Sequence, residues 1–358
     1  MVGRPRRQTT HKTYRVGRLL SPVDAGPFPP RGVAMRTPRT RRRPVAALLT
    51  TLALLAATAL TACGGEAADA SGGGSDGPLR IGYQRFGGLS LVKARGDAKN
   101  VTWSLFESGP ALTEALKAGS IDIGQVGEAP PVFAAAGKIP FSVVGTSQPI
   151  PQGEAVLVKA GSPYRGFADL RGKTVALNKG SNVHWLLVKL LEANRMTLAD
   201  IKVKYLKPAE GRPAFDNGQV DAWIIWDPYF ALAEQPGVRV LADATGLAGN
   251  REYVLAAPDA VKNRTADVRA FLDTYRQTTD WGIAHPTERA AVLAPELKIP
   301  LDVATRALAR SAKPLAPVTP EIGAELQAIA DSFVELKLVP GPVDIAGRVD
   351  GRFNEAFQ

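Results

Sequence analysis

The chain has 358 residues, 45% of them hydrophobic, one cysteine, three histidines and a formal charge of +10. The charge points at first to nucleic acid or an anionic membrane. Residues 1–43, however, hold twelve Arg or Lys against one acid, Asp24, so the remainder is close to neutral and no nucleic-acid partner is expected. A single cysteine excludes intramolecular disulfides and cysteine-rich metal sites, and histidines at 11, 184 and 285 do not form a ligand cluster, so neither metal nor cofactor is expected.

Arg41–Arg43, the apolar run Val45–Leu60 and Ala62-Cys63-Gly64-Gly65 follow the order of a secretory signal, too short for a membrane span. Leu60-Thr61-Ala62-Cys63 resembles the bacterial lipobox, which implies a lipidated Cys63 and attachment to the outer face of the cytoplasmic membrane. Residues 1–62 are therefore read as a leader, with a conventional start at Met35, and 63–78, rich in Gly, Ala and Ser, as a flexible tether.

The folded part begins at Leu79. Strands are expected at Leu79–Tyr83, Val101–Phe106, Ile121–Gly124 and Phe141–Thr146, with helices at Ser90–Arg95, Ala111–Lys117 and from Pro130. After Glu154–Val158, a connecting strand, the alternation resumes: Thr174–Leu177, a helix over 182–194, Lys202–Leu206, a helix from Pro213 to near Asn217, and Val220–Trp226. Tyr253–Ala257 is a second connecting strand, and the rest is mainly helical, with Thr319-Pro320 opening a helix that carries Ile322, Leu326, Ile329 and Phe333 on one face. Such alternation predicts an α/β fold with a mostly parallel sheet.

The stretch Asn178–Asn194 is the most informative. Val183, Leu186, Leu187, Leu190 and Leu191 mark one buried helix face, Ser181 stands at the N-cap, and Gly180 permits a tight turn after a strand. Free N–H groups at such a helix start suit a small anion. The segments 115–123 and 214–222 echo each other as helix end, glycine and short Asp-containing strand, each followed by a proline-started helix at Pro130 or Pro228. The echo predicts two similar lobes facing across a cleft.

Gly124–Pro131, Asn178–His184 and Gly218–Pro228 together resemble the periplasmic-type substrate-binding proteins of ABC importers for aliphatic sulfonates, within a group that also serves nitrate, taurine and thiamine precursors. The resemblance runs from about Leu79 to the C-terminus. It implies a two-lobed type II periplasmic-binding-protein fold, with mixed sheets flanked by helices, two crossing hinge strands and a helical C-terminal region. Lobe 1 would comprise 79–157 and 255–358, lobe 2 158–254, and Ala155–Val158 and Tyr253–Ala257 would be the crossings. The chain departs from the family pattern at Glu128, where many members have Asp, at Asn182-Val183 and at Trp185.

By the same resemblance the ligand would meet three helix starts: Gly127-Glu128, Gly180-Ser181-Asn182 and Asp227-Pro228. Gln84 would donate its amide, and Trp226 would cover an apolar tail. Glu128 is expected to cap its helix with its backbone N–H toward the ligand, and Asp227 to cap a helix or fix closure. His184 is either a donor or solvent-facing, and Trp223 belongs to the core. The function implied is extracytoplasmic capture of an alkanesulfonate and delivery to a permease and its ATPase. Nitrate, bicarbonate, taurine or a thiamine pyrimidine are the alternative ligands. An enzyme is disfavoured, since no Ser/His/Asp set or phosphate-binding loop is present.

Overall fold

The computed structural model describes residues 77–311 and 313–358. The expected leader, the start at Met35, lipidated Cys63 and nearly all of the tether lie outside the described residues.

In chain order the elements are β1 (Leu79–Gln84), α1 (Gly88–Arg95), β2 (Val101–Phe106), α2 (Gly109–Lys117), β3 (Ile123–Val126), α3 (Pro130–Ala136), β4 (Ser142–Ser147), β5 (Glu154–Lys159), β6 (Thr174–Leu177), α4 (Asn182–Ala193) and β7 (Lys202–Tyr205). They continue with α5 (Pro208–Asp216), β8 (Ala222–Trp226), α6 (Tyr229–Ala233), β9 (Val238–Asp243), β10 (Tyr253–Ala256), α7 (Pro258–Asn263), α8 (Thr265–Ala284), α9 (Pro286–Leu297), α10 (Leu301–Arg310), β11 (Leu315–Ala316) and α11 (Pro320–Glu335).

Two sheets result, one ordered β11-β4-β10-β3-β1-β2 and the other β7-β6-β8-β5-β9. Strands separated by a helix pair in parallel, as β1 does with β2 and β3, and β6 with β7 and β8. The two strands that enter each sheet from the other break the rule: β10 runs antiparallel between β3 and β4, and β5 antiparallel between β8 and β9. The sheets are mixed, not mostly parallel. The expected crossings are also displaced. Glu154–Val158 pairs residue by residue with β8, and Tyr253–Ala256 with β3, so each is a full strand of one sheet and the chain changes sheets just before it. The expected boundaries at 157/158 and 254/255 therefore fall inside β5 and β10. The two crossing segments bond to each other through Ile150 N–H to the Gly249 carbonyl, 2.8 Å, and Asn250 Nδ2 to the Ile150 carbonyl, 2.8 Å.

Helices cover both faces of each sheet. On the first, Leu89, Val92, Phe271, Leu272 and Tyr275 pack on one side, while Leu112, Leu116, Val132, Leu326 and Phe333 pack on the other. On the second, the α4 stripe of Val183, Leu186, Leu187, Leu190 and Leu191 packs on one side and Phe215 and Phe230 on the other, with Trp223 buried among them. Helix α4 is apolar on more than one face: Trp185 and Val188 point away from their own sheet into the core that α3 and α11 build on the first. A helix apolar nearly all round is buried between layers, and here it joins the two halves.

Helix α5 starts at Pro208, not Pro213, and holds Pro213 inside it. Pro208 occupies the first turn, where no N–H is needed. Gly211 lets the helix approach the sheet, because a Cβ there would stand 2.7 Å from the Trp223 indole nitrogen.

Candidate functional site

A cleft of about 550 Å³, its open mouth included, lies where the strand ends of the two sheets meet. Five of the expected residues line it. Gln84 ends β1 and donates from Nε2 to the Gln125 carbonyl at 3.0 Å. Gly127 follows β3 and lies against Asn182, the first residue of α4. Trp226 ends β8, half-buried, with its ring edge-on to Tyr229 at 6.0 Å. Asp227, also lining the cleft, accepts from the Ala231 amide at 3.1 Å and takes two hydrogen bonds from Arg310, of 2.8 and 2.9 Å. Asp227 thus both caps α6 and ties it to α10. Burial raises its pKa, against the hydrogen bonds of Arg310.

Four expected residues are not brought to the cleft wall. Gly180, at φ 75°, makes the turn and donates its N–H to His184 Nδ1 at 3.2 Å. The Ser181 hydroxyl turns back to donate to the Asn178 carbonyl at 2.8 Å and makes no cap bond. His184 is not solvent-facing and does not line the cleft. It is fully buried and stacked on Phe133, with centroids 5.7 Å apart, and it touches Phe333 and Tyr205. Burial, with Lys179 nearby, lowers its pKa to about 4, so it is neutral at pH 7. Glu128 makes no side-chain cap bond to α3; its carboxyl is turned toward the backbone of Asn250 and Arg251 in the second crossing segment, which tempers the burial that raises its pKa.

Sequence reasoning missed the other wall. Gln125, Asn250, Arg251, Glu252 and Ser311 also line the cleft. Gln125 lies inside one of the quoted motifs but on a strand, where its side chain is buried and its Oε1 has no partner. Asn250–Glu252 sit in a crossing segment with no periodicity to betray them. Arg251 is bound in two hydrogen bonds by Glu325, of 2.8 and 3.2 Å, and donates to the Ser147 carbonyl at 2.8 Å. Glu252 accepts from the Tyr275 hydroxyl at 3.4 Å and faces the Gly88 backbone and Gln125, and burial raises its pKa despite nearby Arg289.

The helix starts differ in what they offer. Pro130 and Pro131 open α3 and carry no N–H, and α6 is only five residues long. Helix α4 has twelve residues, and among the described residues no acceptor meets the amides of Asn182 and Val183. The strongest anion-facing donors are therefore at the start of α4, beside Gln84 and Gly127 from the facing sheet. No described residues form a group of three or more His, Cys, Asp or Glu that could hold a metal ion.

Comparison with known proteins places this geometry. The family model described as NMT1/THI5 like matches residues 106–289, half of the chain. An aliphatic sulfonates-binding protein of Escherichia coli strain K12 is 38% identical over 281 residues, covering 76% of this chain and 88% of that protein. The crystal structure of the periplasmic aliphatic sulphonate binding protein from Escherichia coli superposes with a TM-score of 0.71 at 38% identity, covering 77% of this chain and 92% of that one. An alkanesulfonate-binding protein from Xanthomonas axonopodis pv. citri bound to MOPS gives 0.73 at 35% identity, covering 76% and 98%.

Proposed function

Because the chain belongs to the NMT1/THI5-like family and to its aliphatic sulfonate-binding branch, we propose that it is the substrate-binding component of a sulfonate ABC importer. It captures an aliphatic sulfonate between its two sheets and hands it to a permease driven by an ATPase. The observation that carries this reading is the meeting of Asn182 and Trp226 from one sheet with Gln84 and Gly127 from the other across one cleft, in a chain with 38% identity to a sulfonate-binding relative.

A sulfonate is a monoanion with three acceptor oxygens and no donor. The Asn182 and Val183 amides at the α4 start supply hydrogen bonds and partial positive charge without a full ion pair. The Gln84 amide adds a donor from the facing wall, and the Trp226 ring supplies apolar surface for the tail. Arg251 and Arg310, already held by carboxylates, set the walls and leave the headgroup to neutral donors. The protein works outside the cytoplasm, and Cys63 carries its lipid anchor.

Thermal unfolding of the chain from residue 64 onward tests the reading against methane- to octanesulfonate, taurine, nitrate, bicarbonate and a thiamine pyrimidine. A ligand at a thousandfold its Kd stabilises by about 4 kcal/mol. A rise in Tm with linear sulfonates supports the assignment, and the best chain length measures the tail pocket. A rise with nitrate, bicarbonate or pyrimidine alone overturns it.

A further inference from the structure

Behind the cleft lies a pair of buried carboxyl groups with unfilled hydrogen-bonding capacity. Glu128 comes from the turn between β3 and α3 on the first sheet, and Glu154 opens β5 on the second; both are buried, at 3% and 0% exposure. Each leaves its Oε1 without a donor. The Glu128 carboxyl faces the backbone of Asn250 and Arg251, and Glu154 Oε2 accepts from Asn182 Nδ2 at 2.7 Å. Asn182 links the two sides, since it also donates to Asn250 Oδ1 at 2.7 Å and lies against Gly127. The charged groups facing Glu128 are Arg251, Glu325 and Glu154, with Tyr253 also in reach. Glu154 faces Glu128 and no cation among the described residues.

We propose that Glu128 and Glu154 form a proton-binding site completed by lobe closure, so that capture of a sulfonate is accompanied by uptake of one proton. The inference rests on the capture reading. Two carboxylates in a dry site with no free cation cannot both stay ionised. One proton from solvent, bound to either carboxyl, removes one of the two buried charges and turns a vacant oxygen into an O–H donor. Burial, with Glu325 repelling Glu128 and Glu128 repelling Glu154, holds both pKa values above the ordinary carboxylate range. The site needs Glu128 from one sheet and Glu154 with Asn182 from the other. Separating the sheets lets water reach the carboxyls, which then ionise at neutral pH. The anion and the proton enter together, and the sulfonate meets no unbalanced carboxylate behind the α4 start.

The test is titration calorimetry with a linear alkanesulfonate at pH 8, in two buffers of different ionisation enthalpy. The expected result is uptake of close to one proton per ligand, vanishing below about pH 4, where free carboxyls are already protonated. Affinity falls by up to about tenfold per pH unit as pH rises through this range. Glu154→Gln is expected to bind with the uptake abolished and the pH profile flat. Should that variant fold poorly, infrared difference spectra of the unaltered protein are expected to show a protonated carboxyl band appearing on binding. Binding with no proton uptake overturns the proposal while sparing the capture reading, as does affinity that depends on calcium or sodium instead of pH. Unchanged uptake in Glu154→Gln and Glu128→Gln also overturns it. Failure of every sulfonate to bind overturns both.

Discussion

Gly127 and Gly124 stand three residues apart, and a methyl group added to each meets a different kind of neighbour. At Gly127 it would approach the Cβ of Asn182, on the facing sheet, to 2.9 Å; at Gly124 it would approach Leu112, packed on the same sheet, to 2.3 Å. Gly127→Ala should therefore weaken ligand binding at least tenfold with little change in the ligand-free Tm, since opening relieves the contact. Gly124→Ala should lower the ligand-free Tm through overpacking of about 1–3 kcal/mol. Calorimetry and thermal melts on the two variants separate these outcomes. His184 sets a pH limit of its own. Its folded pKa, about 4, lies below its ordinary 6.5, so its contribution is complete above pH 6.5 and is lost as pH falls toward 4. The loss is on the order of 3 kcal/mol at most. The Glu128–Glu154 pair has the opposite sign, with raised pKa values whose stabilisation is lost as pH rises. Tm of the sulfonate-bound chain should thus pass through a maximum, and His184→Gln should flatten its acid side alone. Gln84, Asn182, Trp226 and Asp227, which the resemblance put at the cleft, do line it; the first three end a strand or start a helix, and Asp227 follows β8 directly. The directions of Glu128 and His184 were not legible, because they are set by Asn250, Arg251 and Phe333, far away in sequence.

The contact of α10 with α6 is a clasp between elements that the sequence gives no reason to pair. Arg310 meets Asp227 and Glu234 together and lies 4.0 Å over the Phe230 ring. Asp227 is 2% exposed, so removing the guanidinium strands a buried carboxylate. Arg310→Ala is expected to cost about 3 kcal/mol, at the low end for breaking a buried pair, and to lower Tm accordingly. Ligand affinity should fall with it, and small-angle scattering should show a larger radius if the clasp holds the closed form. An unaltered Tm and radius would remove Arg310 from this role. Most elements were readable from periodicity, including α4 and the proline-started helices. Strand β9 escaped notice: it lies at a sheet edge, only half-buried, and its register with β5 shifts at Val156/Leu157, so no clean alternation marks it. The start of α5 was misjudged for the reverse reason. Gly211 and Pro213 weaken the helix locally, and packing against Trp223 overrides them.

Across the whole molecule, the internal echo foresaw two similar sheets, and their mixed order follows from the two chain crossings. What composition could not foretell is how firmly the halves are joined away from the cleft. Trp185 and Val188 of α4 share one apolar core with α3 and α11, and Phe133, His184 and Phe333 touch ring to ring across it. That shared core adds to the ligand's own contacts in holding the shut form. Release then has a gate: ligand leaves only when the aromatic rings part. Trimming a ring far from the ligand, as in Phe333→Ala, should quicken escape more than entry, read as a faster dissociation rate in displacement experiments.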